Sequence, residues 1–340
     1  MDRRIHVNPA KLLPVLVLSL FLSACEQERR IVITGPTMGT SYIVKLVGMG
    51  LDKTKIGSEI EAELKRINSL MSTYDENSEL SQFNRFQGKG LFPVSPETLE
   101  VLRLSGSVHD HSDGAFDVTV GPLVNLWGFG PGPSRDSIPA DEEIEAARHR
   151  TGFGLLQIDD DGLRKDSDLY LDLSAIAKGY AVDRVALILE AGDIRNYLVE
   201  IGGELRARGQ NDRGNPWTIA VEKPNSLSRS IFRTIPLRDM SMATSGDYRN
   251  YFEVDGKRYS HTIDPRTGRP ITHNVASVTV LAASAAVADG YATAINVLGV
   301  EKGLSLARQL DLAVLVLVKQ EDGFIERSSP ALDDYLDQVP

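Results

Sequence analysis

The 340-residue chain carries 37 Lys and Arg against 47 Asp and Glu, a net charge of -10, and a single cysteine, Cys25. One cysteine cannot close an internal disulfide, build a cysteine-rich zinc site or hold an iron–sulfur cluster, and 42% hydrophobic with 25% charged residues is ordinary globular material rather than disorder. The acidic balance excludes a protein that grips phosphate backbones with bulk positive charge, so nucleic acid is not an expected partner.

The N-terminus reads as an address. Arg3, Arg4 and Lys11 precede an apolar run of 11 residues, 12–22, too short for a spanning helix of roughly 20 but suited to a signal-peptide core. It ends in Leu22-Ser23-Ala24-Cys25, which resembles the bacterial lipobox, where cleavage precedes a cysteine that then carries lipid. The alternative is an ordinary signal peptide followed by a cysteine by chance. Losing the first 24 residues, with three basic side chains and one acidic, leaves 316 residues and a net charge of -12. The expected organisation is a lipoprotein signal at 1–24, a lipidated tether at 25–30 and one domain at 31–340. The expected place is the periplasmic side of a bacterial membrane; Glu26, where an aspartate would signal inner-membrane retention, leaves the choice of membrane open.

Residues 31–47 predict two short strands around the bend Gly35-Pro36-Thr37-Met38-Gly39-Thr40. Ile56, Ile60, Leu64, Ile67, Leu70 and Met71 repeat with helical spacing. A second helix is expected over 96–108 with Ser95 as its cap, and a third over 174–191, entered from a strand at 169–173. Strands are expected at 197–201, 204–208, 217–221 and 231–237. Residues 251–254 and 257–261 flank Asp255-Gly256, the strongest short hairpin signal in the chain. A buried strand at 275–281, helices at 285–298 and 300–310 and a strand at 312–318 complete the pattern. The intermixed elements predict one α+β domain with mixed and antiparallel sheets packed with helices, and no repeat. Residues 128–140, rich in Gly and Pro, predict a mobile excursion.

No P-loop and no His-Glu-x-x-His is present, and Gly128, Gly130 and Gly132 do not fit a dinucleotide fingerprint. His109, Asp110, His111 and Asp113 have metal-ligand character but precede Gly114, so a solvated helix-ending turn is expected. Residues 159–162 read as a turn rather than a calcium loop. His149 and His273 are expected at the surface.

Four segments carry chemistry. Residues 171–183 deliver Asp172 from an apolar stretch to the start of a helix that also holds Lys178, so an acid, a cation and unpaired N–H groups converge. Gly202-Gly203 lets backbone approach a ligand closely. Residues 243–251 lead through a hairpin into Ser260-His261-Thr262-Ile263-Asp264-Pro265-Arg266-Thr267-Gly268. In Ala288-Asp289-Gly290-Tyr291-Ala292-Thr293 the acid and the hydroxyl fall one helical turn apart. Taken singly, each also suits a cap, a turn or a surface pair.

Together with Thr37-Met38-Gly39-Thr40, Ser72-Thr73-Tyr74, the run from Asp113-Gly114-Ala115-Phe116-Asp117 to Gly121-Pro122-Leu123, and Leu126-Trp127-Gly128-Phe129-Gly130, these segments resemble the ApbE family of FAD:protein FMN transferases over nearly all of the mature chain. The resemblance implies an ApbE-like (T-fold-like) domain. It implies that Met38, Tyr74, Ala115, Phe116, Asp117, Asp172, Lys178 and Ile263 contact FAD. It further implies Mg²⁺ held by the Ala175 backbone oxygen and the Asp289 and Thr293 side chains, a hard-oxygen set such as Mg²⁺ requires. Mg²⁺ would supply the local positive charge that an acidic body binding a diphosphate lacks.

The implied reaction is attack of a target-protein Thr or Ser hydroxyl on the FMN-side phosphorus of FAD, with AMP leaving. Such a hydroxyl needs a general base, and His261, the histidine inside a matched motif, is the candidate; a structural histidine bonded to the next loop is the other reading. Implied acceptors are membrane redox subunits of sodium-pumping NADH:quinone reductase (Nqr) or Rnf type with a short Thr-containing motif. Two alternatives stay open: a FAD pyrophosphatase yielding FMN and AMP, and a non-catalytic flavin-binding lipoprotein.

Overall fold

The computed structural model describes residues 29–133, 137–224, 230–246 and 251–339. Cys25, part of the 128–140 excursion and residues 247–250 of the third motif lie outside them. Eight strands, Arg29–Thr37, Thr40–Gly48, Asn196–Ile201, Glu204–Arg208, Ser241–Gly246, Val275–Ala282, Ala313–Gln320 and Gly323–Ser328, form one sheet whose spatial order is its chain order. Every pair in it is antiparallel. Of the mixed and antiparallel pairing expected, the antiparallel kind is what forms among the described residues, because each connection returns to the end of the sheet it left, and parallel neighbours need a crossover. The first strand starts at Arg29, two residues before the expected domain start.

Local chemistry explains these elements. The first hairpin turns on Met38 and Gly39, both left-handed (φ 47° and 71°), the geometry of a two-residue turn. Helix α1 (Lys53–Met71) buries Ile56, Ile60, Leu64, Ile67 and Met71, and the Asp52 carboxylate accepts from the N–H groups of Thr54 and Lys55. Helices α2 (Glu79–Arg85), α3 (Pro96–His111), α4 (Gly121–Leu126), α5 (Asp141–Arg148) and α6 (Ala177–Ala191) all lie between the second and third strands of the sheet. Helix α7 (Ala285–Gln309) breaks at Gly299 (φ 76°, ψ -178°), the boundary expected between two helices, and α8 is Pro330–Gln338. The main core joins one sheet face to α1, α6 and α7 through residues such as Val44, Ile60, Val182, Val199, Val280 and Ile295. On the other face Leu198, Leu205 and Leu315 pack with Trp217 and Ile235 of the Trp217–Glu222/Ile231–Leu237 hairpin and with Leu332 of α8.

Three expectations need correction. Residues 169–173 are not a strand: the Asn84 side-chain amide accepts from Leu171 N–H (2.8 Å) and donates to its carbonyl (2.9 Å), occupying the place of a neighbouring strand. Helix α6 starts at Ala177, not 174. His109 and His111 sit in the last turn of α3, not in a solvated turn: His109 Nδ1 lies 3.0 Å from the Phe116 carbonyl oxygen and the ring stacks on Phe153, while His111 Nδ1 lies 2.7 Å from the Tyr291 hydroxyl. His149 is exposed as expected; His273 is half-buried, its Nδ1 accepting from Val275 N–H.

The pairing of α6 with α7 decides where the chemistry sits. Asp183 of α6 accepts from the Ala285 and Ala286 N–H groups and the Ser284 hydroxyl, capping α7, and Arg206 holds the same carboxylate at 2.9 Å. Gly179 lets the backbones touch, since a Cβ there would lie 2.3 Å from the Ala285 carbonyl oxygen. Gly179→Ala is therefore expected to destabilise the fold by about 1–3 kcal/mol, read as a lower urea midpoint at constant m. An unchanged midpoint would show that the helices part without penalty.

Candidate active site

A cavity of about 380 Å³ opens where α6, α7, the segment after α3 and the segment after the Tyr251–Val254/Lys257–Ser260 hairpin meet, a size suited to part of a cofactor-sized ligand. Its walls include Tyr74, Ala115, Phe116, Asp117, Asp172, Ala175, Lys178, His261, Ile263, Asp289 and Thr293, gathering eleven of the candidate residues. Met38 is not among the lining residues. It occupies the hairpin turn and lines a neighbouring cleft with Glu61, Lys65 and Asp75.

Asp289, 5% exposed, lies deep in the wall. Its Oδ2 accepts from Gly179 N–H at 3.0 Å. Gly179 is the third residue of α6, where an N–H has no acceptor within the helix, and Asp289 supplies one. The Ala175 carbonyl, ahead of the helix, has no donor among the described residues. Asp289 Oδ1 likewise accepts nothing from a described residue, and Thr293 stands one turn further along α7. Three hard oxygen donors thus face one cavity.

Lys178 bonds to Glu204 at 2.8 Å and lies 3.9 Å from Asp289. Burial pulls its ammonium down, but Asp289 and Glu204 outweigh that and hold it above the ordinary lysine range. Burial lifts the Glu204 carboxyl and the charge of Asp289 adds to this against the pull of Lys178, so it is pushed up to about 7. Asp289 is raised too, by burial above all. Both Glu204 and Asp289 line the cavity with Lys178.

Two further carboxylates differ in role. Asp117 is buried, which raises its pKa, and both its oxygens are engaged: Oδ1 accepts from Thr119 N–H and Oγ1, Oδ2 from Phe153 N–H. These bonds tie Asp117 to Thr119 and Phe153 while it lines the cavity. Asp172 Oδ1 accepts from Ser174 N–H and Oγ, holding the turn into α6. His261 meets Phe129 edge-on, centroids 6.3 Å apart, and Ile263 closes a short pairing with Pro270. Tyr74 stands 67% exposed at the rim, its hydroxyl 3.5 Å from the Phe129 carbonyl oxygen.

Residues 38–316 match the ApbE family. The chain belongs to the ApbE family. A protein of Vibrio cholerae serotype O1 named FAD:protein FMN transferase is 48% identical over 322 residues, covering 93% of this chain and 96% of its own length. Its Escherichia coli K12 namesake is 39% identical over 337 residues, covering 95% and 96%. The solved structure of Flavin Transferase ApbE from Vibrio cholerae matches with a TM-score of 0.85 at 46% identity, covering 90% of this chain and 99% of that one. Pseudomonas stutzeri flavinyl transferase ApbE, apo form, matches with a TM-score of 0.85 at 43% identity, covering 92% and 99%.

This ApbE-family cavity also holds Glu204, which lies in the Gly202-Gly203 segment but is not among the residues expected at the site. Its signal was present: a charged residue directly after Gly202-Gly203, opening a strand whose buried positions are otherwise apolar. Thr244 and Ser245 of the 243–251 segment, from the middle of the sheet, also line the cavity.

Proposed function

We propose that this chain is an enzyme, a FAD:protein FMN transferase that moves the FMN moiety of FAD to a Thr or Ser hydroxyl of a target protein and releases AMP. The observation that carries the reading is the meeting in one cavity of Asp172, Ala175, Lys178, His261, Ile263, Asp289 and Thr293, which come from segments far apart in the chain. The printed names of the relatives agree with it.

Among the described residues no three His, Cys, Asp or Glu side chains form a metal cluster. The donors that fit Mg²⁺ are of another kind: the unclaimed Ala175 carbonyl, the unpaired Asp289 oxygen and the Thr293 hydroxyl, hard oxygens that leave room for diphosphate. When bound there, Mg²⁺ would lower the charge on the phosphates and favour departure of AMP. His261 takes the hydroxyl proton as the acceptor oxygen bonds to the FMN-side phosphorus. The bond from that phosphorus to the bridging oxygen breaks and its electron pair leaves with AMP. Tyr74, Phe129 and Ile263 supply the apolar surface for an isoalloxazine ring, and Ala115, Phe116 and Asp117 line the same cavity.

We further place the chain on the periplasmic side of the membrane with lipid on Cys25, facing an acceptor among membrane redox subunits of Nqr or Rnf type. No helix among the described residues is long and apolar enough to cross a membrane.

The test is incubation with FAD and Mg²⁺, with and without an acceptor carrying a Thr-containing motif, following AMP and in-gel flavin fluorescence. AMP formed only with acceptor, in step with covalent flavin and abolished by EDTA, is the expected result. AMP formed equally without acceptor would make the chain a pyrophosphatase. Bound FAD with no AMP under any condition would make it a flavin carrier.

A further inference from the structure

We propose that Glu204 is a positioning residue that sets the charge of the cation site by holding Lys178 off Asp289. The inference rests on the cation reading above and extends it to residues outside the ligand set.

Lys178 lies within reach of two buried carboxylates but is shared unequally: 2.8 Å from Glu204 Oε1 and 3.9 Å from Asp289 Oδ2. The bias is built into the chain. Gly202 (φ 61°) turns directly over the lysine stem, and a Cβ there would lie 3.4 Å from Lys178 Cδ and 3.5 Å from Glu204 Oε2. The lysine stem and Glu204, the first residue of the following strand, thus pack beside the same turn. Glu204 is 4% exposed, and its Oε2 is buried with no hydrogen-bond partner among the described residues. Burying a carboxylate with half its capacity unused is costly, and here it accompanies a lysine drawn away from the candidate ligand.

The electrostatic result is specific. Two carboxylates and one ammonium leave a single negative charge facing the Ala175 carbonyl and Thr293. Without Glu204, Asp289 is the remaining buried carboxylate for Lys178, and the ammonium would neutralise the group a divalent cation needs. Without Lys178, two unpaired carboxylates would remain, excellent for a cation but poor for the metal-free fold. Removing both restores a net charge of one on Asp289 alone.

The cycle is tested with wild type, Glu204→Gln, Lys178→Met and the double variant, each titrated with Mg²⁺ alone at pH 8. Calorimetry gives the dissociation constant and the Mg²⁺-dependent rise in the unfolding midpoint gives an independent reading. Glu204→Gln should weaken Mg²⁺ binding about 10- to 100-fold. Lys178→Met should bind at least as tightly as wild type while melting lower without metal. The double variant should return to within about threefold of wild type. An unchanged constant in Glu204→Gln overturns the proposal, as does a double variant as weak as Glu204→Gln, which would make Glu204 act on the cation without Lys178. Should Glu204→Gln fail to fold, Lys178→Met alone decides, because weaker binding in it contradicts the charge argument. A wild type that takes up no Mg²⁺ in either measurement removes the cation reading and this inference together; a wild type that binds, with a cycle of the wrong pattern, removes only this inference.

Discussion

Asp289→Asn is expected to fold like wild type yet lose FMN transfer by roughly 10²- to 10³-fold, the scale on which removing one charge-stabilising group slows a reaction. The carboxylate does two things at once. It accepts from Gly179 N–H at 3.0 Å, tying α7 to α6, and it faces the cavity with Ala175 and Thr293 as the charged member of the proposed cation site. Asparagine keeps an acceptor for Gly179 but no charge for a cation. Asp289→Ala removes both, so it should match the asparagine variant in rate and also lose about 1–3 kcal/mol of stability from the N–H left unsatisfied in a buried wall. Comparing flavinylation across a Mg²⁺ series with urea unfolding of both variants separates the roles. Full transfer by Asp289→Asn would take the residue out of the chemistry.

The second large effect is expected at His261. Its removal should slow attachment of FMN by about 10²- to 10⁴-fold, the usual contribution of a general base, while FAD binding, followed by flavin fluorescence, stays close to wild type. The separation arises because the ring touches the cavity at the edge of Phe129, whereas Ile263 lines it two residues further on. Equal rates of attachment in His261→Ala and wild type would return the histidine to a structural role.

What the sequence could disclose followed the range of the interactions concerned. Helix α1 was legible because Ile56, Ile60, Leu64 and Ile67 recur with its own period. The break at Gly299 was legible because the glycine separates two apolar repeats and adopts φ 76°. Asp255 and Gly256, at φ 50° and 74°, adopt the conformations that their dipeptide favours. Interactions between distant residues were not legible. Residues 169–173 look like a strand in composition, and nothing local reports that Asn84 has taken the pairing. His109 and His111 read as a loop because their partners, Phe116 and Tyr291, lie beyond the local pattern. The partner of Glu204 was not legible for the same reason: its bond to Lys178 crosses 26 positions and gives no periodic trace. Met38, at the tip of the first hairpin, lines a separate cleft with Glu61, Lys65 and Asp75, a placement that periodicity does not disclose.

The antiparallel sheet runs in chain order, but its second and third strands pair across everything from residue 49 to 195. That long intervening stretch supplies Tyr74, Asp172 and Lys178, while Glu204, His261, Asp289 and Thr293 come after it. Contacts so remote in sequence close late and slowly. The cavity wall is therefore complete only once residues 289 and 293 have joined it, and a fragment ending before Asp289 would lack two of the three oxygen donors proposed for Mg²⁺.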